Sequence, residues 1–260
     1  MVVNTRRLFT RLLPALRIDA VCDVGSMNGA DALRFREAAP HSSIYAFEPN
    51  PHNFRRMQAD RRLADRRIQL APLAASNHDG EAEFFLVAAD YARDDDWCGM
   101  SSLYRRPQRF GGTAAVERVR TTRLDTFLAD KCPPHARLAL WIDTEGNAYE
   151  ALEGARGVAA RVQLLHVEVE TEPCISAEQK FYPQVRALLE RLGFTQLATD
   201  QPLRHSQFNA LFVRRDLPPR MRWRVRGWLV HARLRYWAVR AILAACPGCA
   251  RRYRARALRR

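Results

Sequence analysis

VCDVGSMNG, residues Val21–Gly29, decides the fold: an apolar run reaches an acid, Asp23, and then breaks at Gly25 and Gly29. A buried parallel strand that must turn tightly into a helix needs such a break, and open α/β sheets bind their ligands beside turns of this kind. A dinucleotide-binding turn carries glycine at its first, third and sixth positions so that backbone can approach a pyrophosphate. Here Gly25 fills the first position, but Met27 and Ala30 stand at the third and sixth. A diphosphate would meet side chains there.

An adenosyl ligand without phosphates has less need of that close approach, and S-adenosylmethionine (SAM) is the common cofactor of this description. Glu48, in YAFEPNP and 25 residues after Asp23, closes the next apolar run. A carboxylate at that strand end can accept hydrogen bonds from both ribose hydroxyls of a nucleoside and would repel a 2′-phosphate. The plainer reading of Gly25 and Gly29 alone, a turn that needs conformational freedom and nothing more, loses ground once Glu48 follows at the right place.

Outward from this unit, AVCDV, SIYAFE, IQLAPLAA, LALWID, VQLLHVEVE and FTQLAT read as strands across residues 19–200, without the polar alternation of half-exposed sheets. Helical patterns lie between them. Asn50 is placed to cap a helix with Pro51 at its first position. Val185, Leu188, Leu189 and Leu192 recur at helical spacing, and Gly193 is placed to end that helix. The expected fold is α/β: a doubly wound, mostly parallel seven-stranded sheet, with QFNALFVR (207–214) pairing antiparallel to FTQLAT because the link is too short for a helical crossover. The expected divisions are an N-terminal helix over 1–18, a domain over 19–216 and an Arg-rich helical tail over 217–260. An insertion at about 77–120 starts at a turn, runs through EAEFFLV and reads as a lid or as inert decoration.

DVGSMNG, FEPNP, SSL, TTRLDTFL and IDTEGNAYEALEGA, in this order and spacing, resemble the conserved blocks of the FkbM-type SAM-dependent methyltransferases over about residues 18–215. That resemblance implies a class I methyltransferase sheet, SAM as methyl donor and an O-linked acceptor on a polyketide, sugar or glycan. It matches Asp23, Gly25 and Gly29 to the first SAM motif, Glu48 to the ribose-binding acid, and Asp143, Glu145 and Gly146 to a DxEG block. The candidate cofactor-binding set is Asp23, Gly25, Ser26, Asn28, Gly29, Glu48, Pro49, Asn50, Ala75 and Ser76. Two departures, Trp141 where many members have Lys and Ala148 where they have an acid, bear on substrate identity more than on the reaction.

Methyl transfer to a hydroxyl needs alignment and a base for the hydroxyl proton. Asp143 ends the strand LALWI, and a period of two puts His166, Glu168 and Glu170 on one face of VQLLHVEVE. The candidate catalytic set is Asp143, which orients or deprotonates the acceptor, with Glu145, His166 and Glu168 around it. A satisfied core histidine and glutamates paired with basic side chains are the competing readings. No metal ligand is assigned, although carboxylates at Asp143 and Glu168 would suit Mg²⁺. Ser101 and Ser102, in the lid, could touch donor or acceptor on closure, or simply form a turn.

The charge of +14 is unevenly placed: 13 Arg and no acid lie from Leu217 to Arg260, leaving 29 basic against 28 acidic groups in the body. Trp223, Val230, Leu234 and Trp237 share one side of the tail helix, and Val225, Trp228, Leu229 and Tyr236 the other. Arg222, Arg226, Arg233 and Arg240 line a boundary between those sides. Trp and Tyr interleaved with Arg suit an anionic lipid surface. Nucleic acid would attract the same charges but is not the expected partner, and a solvated helix packed on its own domain is the plain alternative. Six scattered cysteines, including the C-x-x-C of Cys246 and Cys249, need no disulfide framework, so the expected location is cytoplasmic, with the tail able to hold the protein at the inner membrane. TRRLFTRLLPALRIDA is interrupted by Arg11, Pro14 and Arg17 and does not read as an export signal, and no span is apolar enough to cross a bilayer. The expected function is SAM-dependent O-methylation of a hydroxyl on a glycan, sugar or related metabolite. The rival expectations are a nucleic-acid methyltransferase and a non-catalytic nucleoside-binding protein at the membrane surface.

Overall fold

The computed structural model describes residues 1–87, 99–108 and 112–245. The Cys246–Cys249 pair, part of the insertion and the end of the tail lie outside the described residues. Seven strands form the main sheet: β1 (Ala20–Val24), β2 (Ser43–Phe47), β3 (Gln69–Ala71), β7 (Leu138–Ile142), β8 (Val162–Glu170), β9 (Phe194–Thr199) and β10 (Gln207–Arg214). Their order is β3-β2-β1-β7-β8-β10-β9, and only β10 runs against its neighbours. Chain order reverses between β1 and β7, and β1 pairs with both β2 and β7 in parallel. Ligands of doubly wound sheets bind at such a switch point.

Every residue of β1 and of β7 is buried, which explains their unbroken apolar runs. On one face of the sheet lie α1 (Thr5–Ala15) and α2 (Ala30–Ala38), whose Phe9 and Phe35 pack on Trp141 at centroid distances of 5.2 and 5.4 Å. On the other lie α5 (Leu124–Ala129), α6 (Ala148–Glu153) and α7 (Tyr182–Arg191), which bury Leu128, Leu152, Leu188 and Leu189 among others. In α3 (Pro51–Ala59) the Asn50 side chain accepts the His52 N–H at 3.0 Å, the expected cap. Gly193 takes φ +90° after α7, as its position requires.

IQLAPLAA is not one strand. Pro72 has no N–H to give a ladder, and the chain leaves the main sheet there. It resumes as β4 (Ala74–Ala75) in a second sheet, ordered β4-β6-β5, with β5 (Gly80–Leu86) antiparallel to β6 (Ala115–Thr122). The strand β6 is an addition to the sequence reading. Most of its first half is exposed, so its apolar pattern is faint. The tail helix α8 (Pro219–Ala245) lies along α1, with Val225 buried and Trp228 and Leu229 partly covered. Among the described residues, no helix is long and apolar enough to cross a membrane.

Candidate functional site

The carboxyl ends of β1, β2 and β7 converge through backbone bonds: Asp143 N–H donates to Val24 O at 2.9 Å, and Gly25 and Ser26 N–H both donate to Phe47 O. This packing leaves no room for a side chain at Gly25, where a Cβ would stand 1.9 Å from the Asp143 carbonyl oxygen and φ is +83°. A cavity at this rim is lined by Gly25, Met27, Glu48, Ala75, Asp143 and Glu145, among others.

Glu48 is buried at its floor and accepts the N–H groups of Met27 at 2.7 Å and Asn50 at 2.8 Å, with a further side-chain bond from Asn53. A carboxylate offers about four acceptor sites, so capacity remains for a ribose hydroxyl. Burial pushes the Glu48 pKa up to about 8, against those three donors, which lower it. Thr144 also lines the cavity, and its buried Oγ1 has no protein partner. A bare turn, a carboxyl group with spare hydrogen-bonding capacity and an unanswered hydroxyl fit a nucleoside with polar hydroxyls.

The site is narrow, with a cavity of about 60 Å³, whereas small-molecule pockets start at about 300 Å³. The insertion closes it. Ser102 exchanges backbone bonds with Phe85, and its Oγ donates to Glu145 O at 2.6 Å. Arg106, nearly buried, donates from Nη2 to Glu145 Oε2 at 2.5 Å and from Nε to Met100 O at 2.9 Å. Residues 99–106 thus cover the rim at which an adenosyl ligand would bind.

The acids are set by burial and by one another. Asp143 has its pKa raised by burial, while a hydrogen bond from Glu168 lowers it. The Glu168 carboxyl is held well above the usual range, first by burial and then by the charges of Asp143, Glu145 and Glu170. Both acids are therefore held toward their protonated forms, and the Glu168 Oε2 atom is buried without a hydrogen-bond partner. Burial raises Glu145 as well, with Arg106 pulling the other way. Glu170, pushed up to about 7 chiefly by burial, accepts from Gln179 at 2.9 Å and Gln207 at 3.4 Å.

Of the sequence candidates, Gly25, Glu48, Pro49, Ala75, Asp143 and Glu145 line this cavity. Others serve the turns around it. Asp23 Oδ2 accepts from Ser26 Oγ at 2.7 Å, the Asn28 side chain accepts the Ala30 N–H, and Asn50 caps α3. Gly29 sits against Leu63, and Ser76 N–H donates to Thr122 O. His166 lies one pleat lower, stacked on Trp141 at 3.5 Å in a second cleft. Sequence reasoning missed Met27, Phe84, Arg106 and Asn147, whose Nδ2 donates to Ala75 O at 2.8 Å. Only the position of Asn147, just after the DxEG block, signalled it.

The family model of the methyltransferase FkbM domain matches residues 23–195. The 2-O-methyltransferase NoeI of Sinorhizobium fredii is similar at 25% identity over 194 residues, 70% of this chain and 74% of its own length. Among solved structures, the N-terminal domain of EvdMO1 with SAH bound is 13% identical, with a TM-score of 0.44 over 82% of this chain and 81% of that one. The precorrin-6y C5,15-methyltransferase of Geobacter metallireducens is 12% identical, with a TM-score of 0.42 over 80% and 86%. Because the family match runs from the acid of the first turn to the start of β9, the chain belongs to the FkbM methyltransferase family and is a SAM-dependent methyltransferase.

Proposed function

We propose that the methyl group goes to a hydroxyl oxygen of a glycan, sugar or related metabolite. The observation that carries this reading is the place of Asp143, which lines the rim cavity with Gly25 and Glu48 and follows Ile142 of β7 as Glu168 follows its register partner Val167 of β8. Bound SAM supplies an electrophilic methyl carbon for in-line displacement. Glu48 holds the ribose, and the 99–106 segment, locked to Glu145 through Ser102 and Arg106, keeps water out. An alcohol is a poor nucleophile until its proton has a destination, and Asp143 provides it. Glu168, whose carboxyl is held well above the usual range by burial and by its acidic neighbours, stands next to Asp143 and shares the proton it receives. Similarity to a 2-O-methyltransferase at 25% identity supports an oxygen acceptor.

The test pairs calorimetric titration of S-adenosylhomocysteine (SAH) with methyl transfer from labelled SAM to a panel of glycosides. Asp143→Asn is expected to bind SAH within about threefold of the native chain while kcat falls by about 10²-fold or more, the usual scale of a lost general base. Undiminished turnover in that variant would remove Asp143 from the chemistry.

We further propose that the outer side of α8 rests on an anionic lipid surface. Trp223, Val230, Leu234 and Trp237 are exposed together, at 70%, 58%, 66% and 60%. Arg222, Arg226 and Arg233 flank this stripe, and each Arg near such a surface is worth about 1 kcal/mol.

A further inference from the structure

A second cleft, of about 790 Å³, opens between α1 and α8 on the sheet face opposite α5, α6 and α7. We infer that it binds the charged part of the acceptor, a saccharide bearing a phosphate or carboxylate group. This inference rests on the reading of the acceptor as a sugar hydroxyl. The volume matches that of ordinary ligand sites, about 300–1,000 Å³.

Three features of the walls point to such a ligand. Arg6, Arg7 and Arg11 come from α1 and Arg235 and Arg240 from α8, so positive charge from two helices converges on one concavity, with Arg6 also 3.5 Å from Asp31. Asp200 is the acid among the lining residues, and it is already engaged, accepting from the backbone N–H and the side-chain Nδ2 of Asn209. Like charges facing one another across a cleft repel, and an oxyanion between them reverses the sign of that energy. Next, Trp228 and Tyr236 stand in the same wall, each with an arginine over its ring, Arg11 and Arg240 at 5.7 Å, so aromatic rings hold two of the guanidinium groups at the cleft.

The floor supplies the third feature. His166 is 2% exposed and stacked on Trp141, its Nε2 lies 3.1 Å from Thr5 Oγ1, and its Nδ1 has no partner in the protein. Burial, helped by the charge of Arg6, holds its pKa well below the usual range, so the ring is neutral and Nδ1 serves as donor or acceptor according to its tautomer. Asn209 Oδ1, also in the lining, is buried and unpaired as well. Leaving a buried polar atom unanswered costs about 1–3 kcal/mol, and two at one cleft mark a place where a polyol finds partners. Trp141 and His166 are register neighbours, and the next residues on the same face are Asp143 and Glu168. Two residues of strand span about 7 Å, within the length of a single sugar ring and its substituents.

The experiment titrates the full chain, with and without SAH, with glucose 6-phosphate, glucuronate, methyl glucoside and inorganic phosphate. Glucose 6-phosphate or glucuronate is expected to bind at least tenfold tighter than methyl glucoside and than inorganic phosphate, and the better of the two identifies the charged group. The Arg11→Ala/Arg235→Ala variant is expected to lose at least tenfold of that affinity while its SAH affinity stays unchanged, which also certifies its fold. Equal binding of charged and uncharged sugars, binding of bare phosphate as tight as the sugar phosphate, or an unaffected variant each overturns the inference. Sugar phosphate binding without SAH binding would leave this site standing and sink the donor reading instead.

Discussion

Gly25→Ala probes the rim more sharply than any change to a charged group. The added Cβ would stand 1.9 Å from the Asp143 carbonyl oxygen, and contacts under 3.0 Å essentially never occur, so turn and strand end must part by about 1.1 Å. The obstacle is backbone on both sides and cannot rotate away. Separation breaks the Asp143 N–H bond to Val24 O and strains the Gly25 bond to Phe47 O, each worth about 1 kcal/mol. A non-glycine residue at φ +83° adds about 1–2 kcal/mol, for a total destabilisation of about 3–4 kcal/mol. Displacement of about 1 Å between reacting groups can cost about 10² in rate, so turnover should fall further than folding. Gly29→Ala is the control. Its φ is +74°, but its neighbour at 2.6 Å is the end of the Leu63 side chain, which can move. That variant should lose about 1–2 kcal/mol and keep its SAH affinity. Urea denaturation and SAH calorimetry on both variants read the difference. If Gly25→Ala binds SAH at native affinity with unchanged stability, or if the two variants behave alike, the contact between the first turn and Asp143 is not what holds the site together.

Two further outcomes follow, one from burial and one from exposure. Asp23 has its pKa pushed from an ordinary 3.8 to about 8, chiefly by burial and then by the charge of Asp31. The folded chain therefore holds this proton more tightly than the unfolded one between about pH 4 and 8, and the stabilisation present below that window is lost as pH rises through it. Asp23→Asn should match the native chain near pH 4 and exceed it at pH 8 by several kcal/mol, at about 1.4 kcal/mol per pKa unit, in urea melts across pH; a difference independent of pH would refute the burial argument. On α8, Trp223→Ser/Trp237→Ser should cut co-sedimentation with phosphatidylglycerol vesicles at least tenfold and leave SAH affinity alone, whereas undiminished vesicle binding would assign the attraction to charge only.

How much was legible in the sequence follows from how local each signal is. The strands of the main sheet are buried on both faces, so their apolar runs announce themselves, and Gly25, Glu48, Asp143 and Glu145 stand where those runs stop. A strand end is a local event, and in a doubly wound sheet the strand ends on either side of the switch point share one rim. The two sides of α8 were legible for the same reason, since helical spacing alone separates Trp223, Val230, Leu234 and Trp237 from Val225, Trp228 and Leu229. The strand β6 was missed because few of its residues are buried, and IQLAPLAA was read as one strand because the weight of its apolar residues hid the missing N–H of Pro72. Arg106 could not be found: nothing in SLYRRPQ says which arginine turns inward to Glu145, 39 positions away. The cleft is still further from local reading. Thr5 and His166 lie 161 positions apart, and Arg224 of α8 reaches the Ala15 carbonyl across 209. In the sequence the arginines of α1 weigh only against an export signal and those of α8 read as the charge of a tail, and only the packing of both helices on one sheet face brings them to one cleft. A cleft built in that way has no sequence motif of its own, whereas the rim at the strand ends has one.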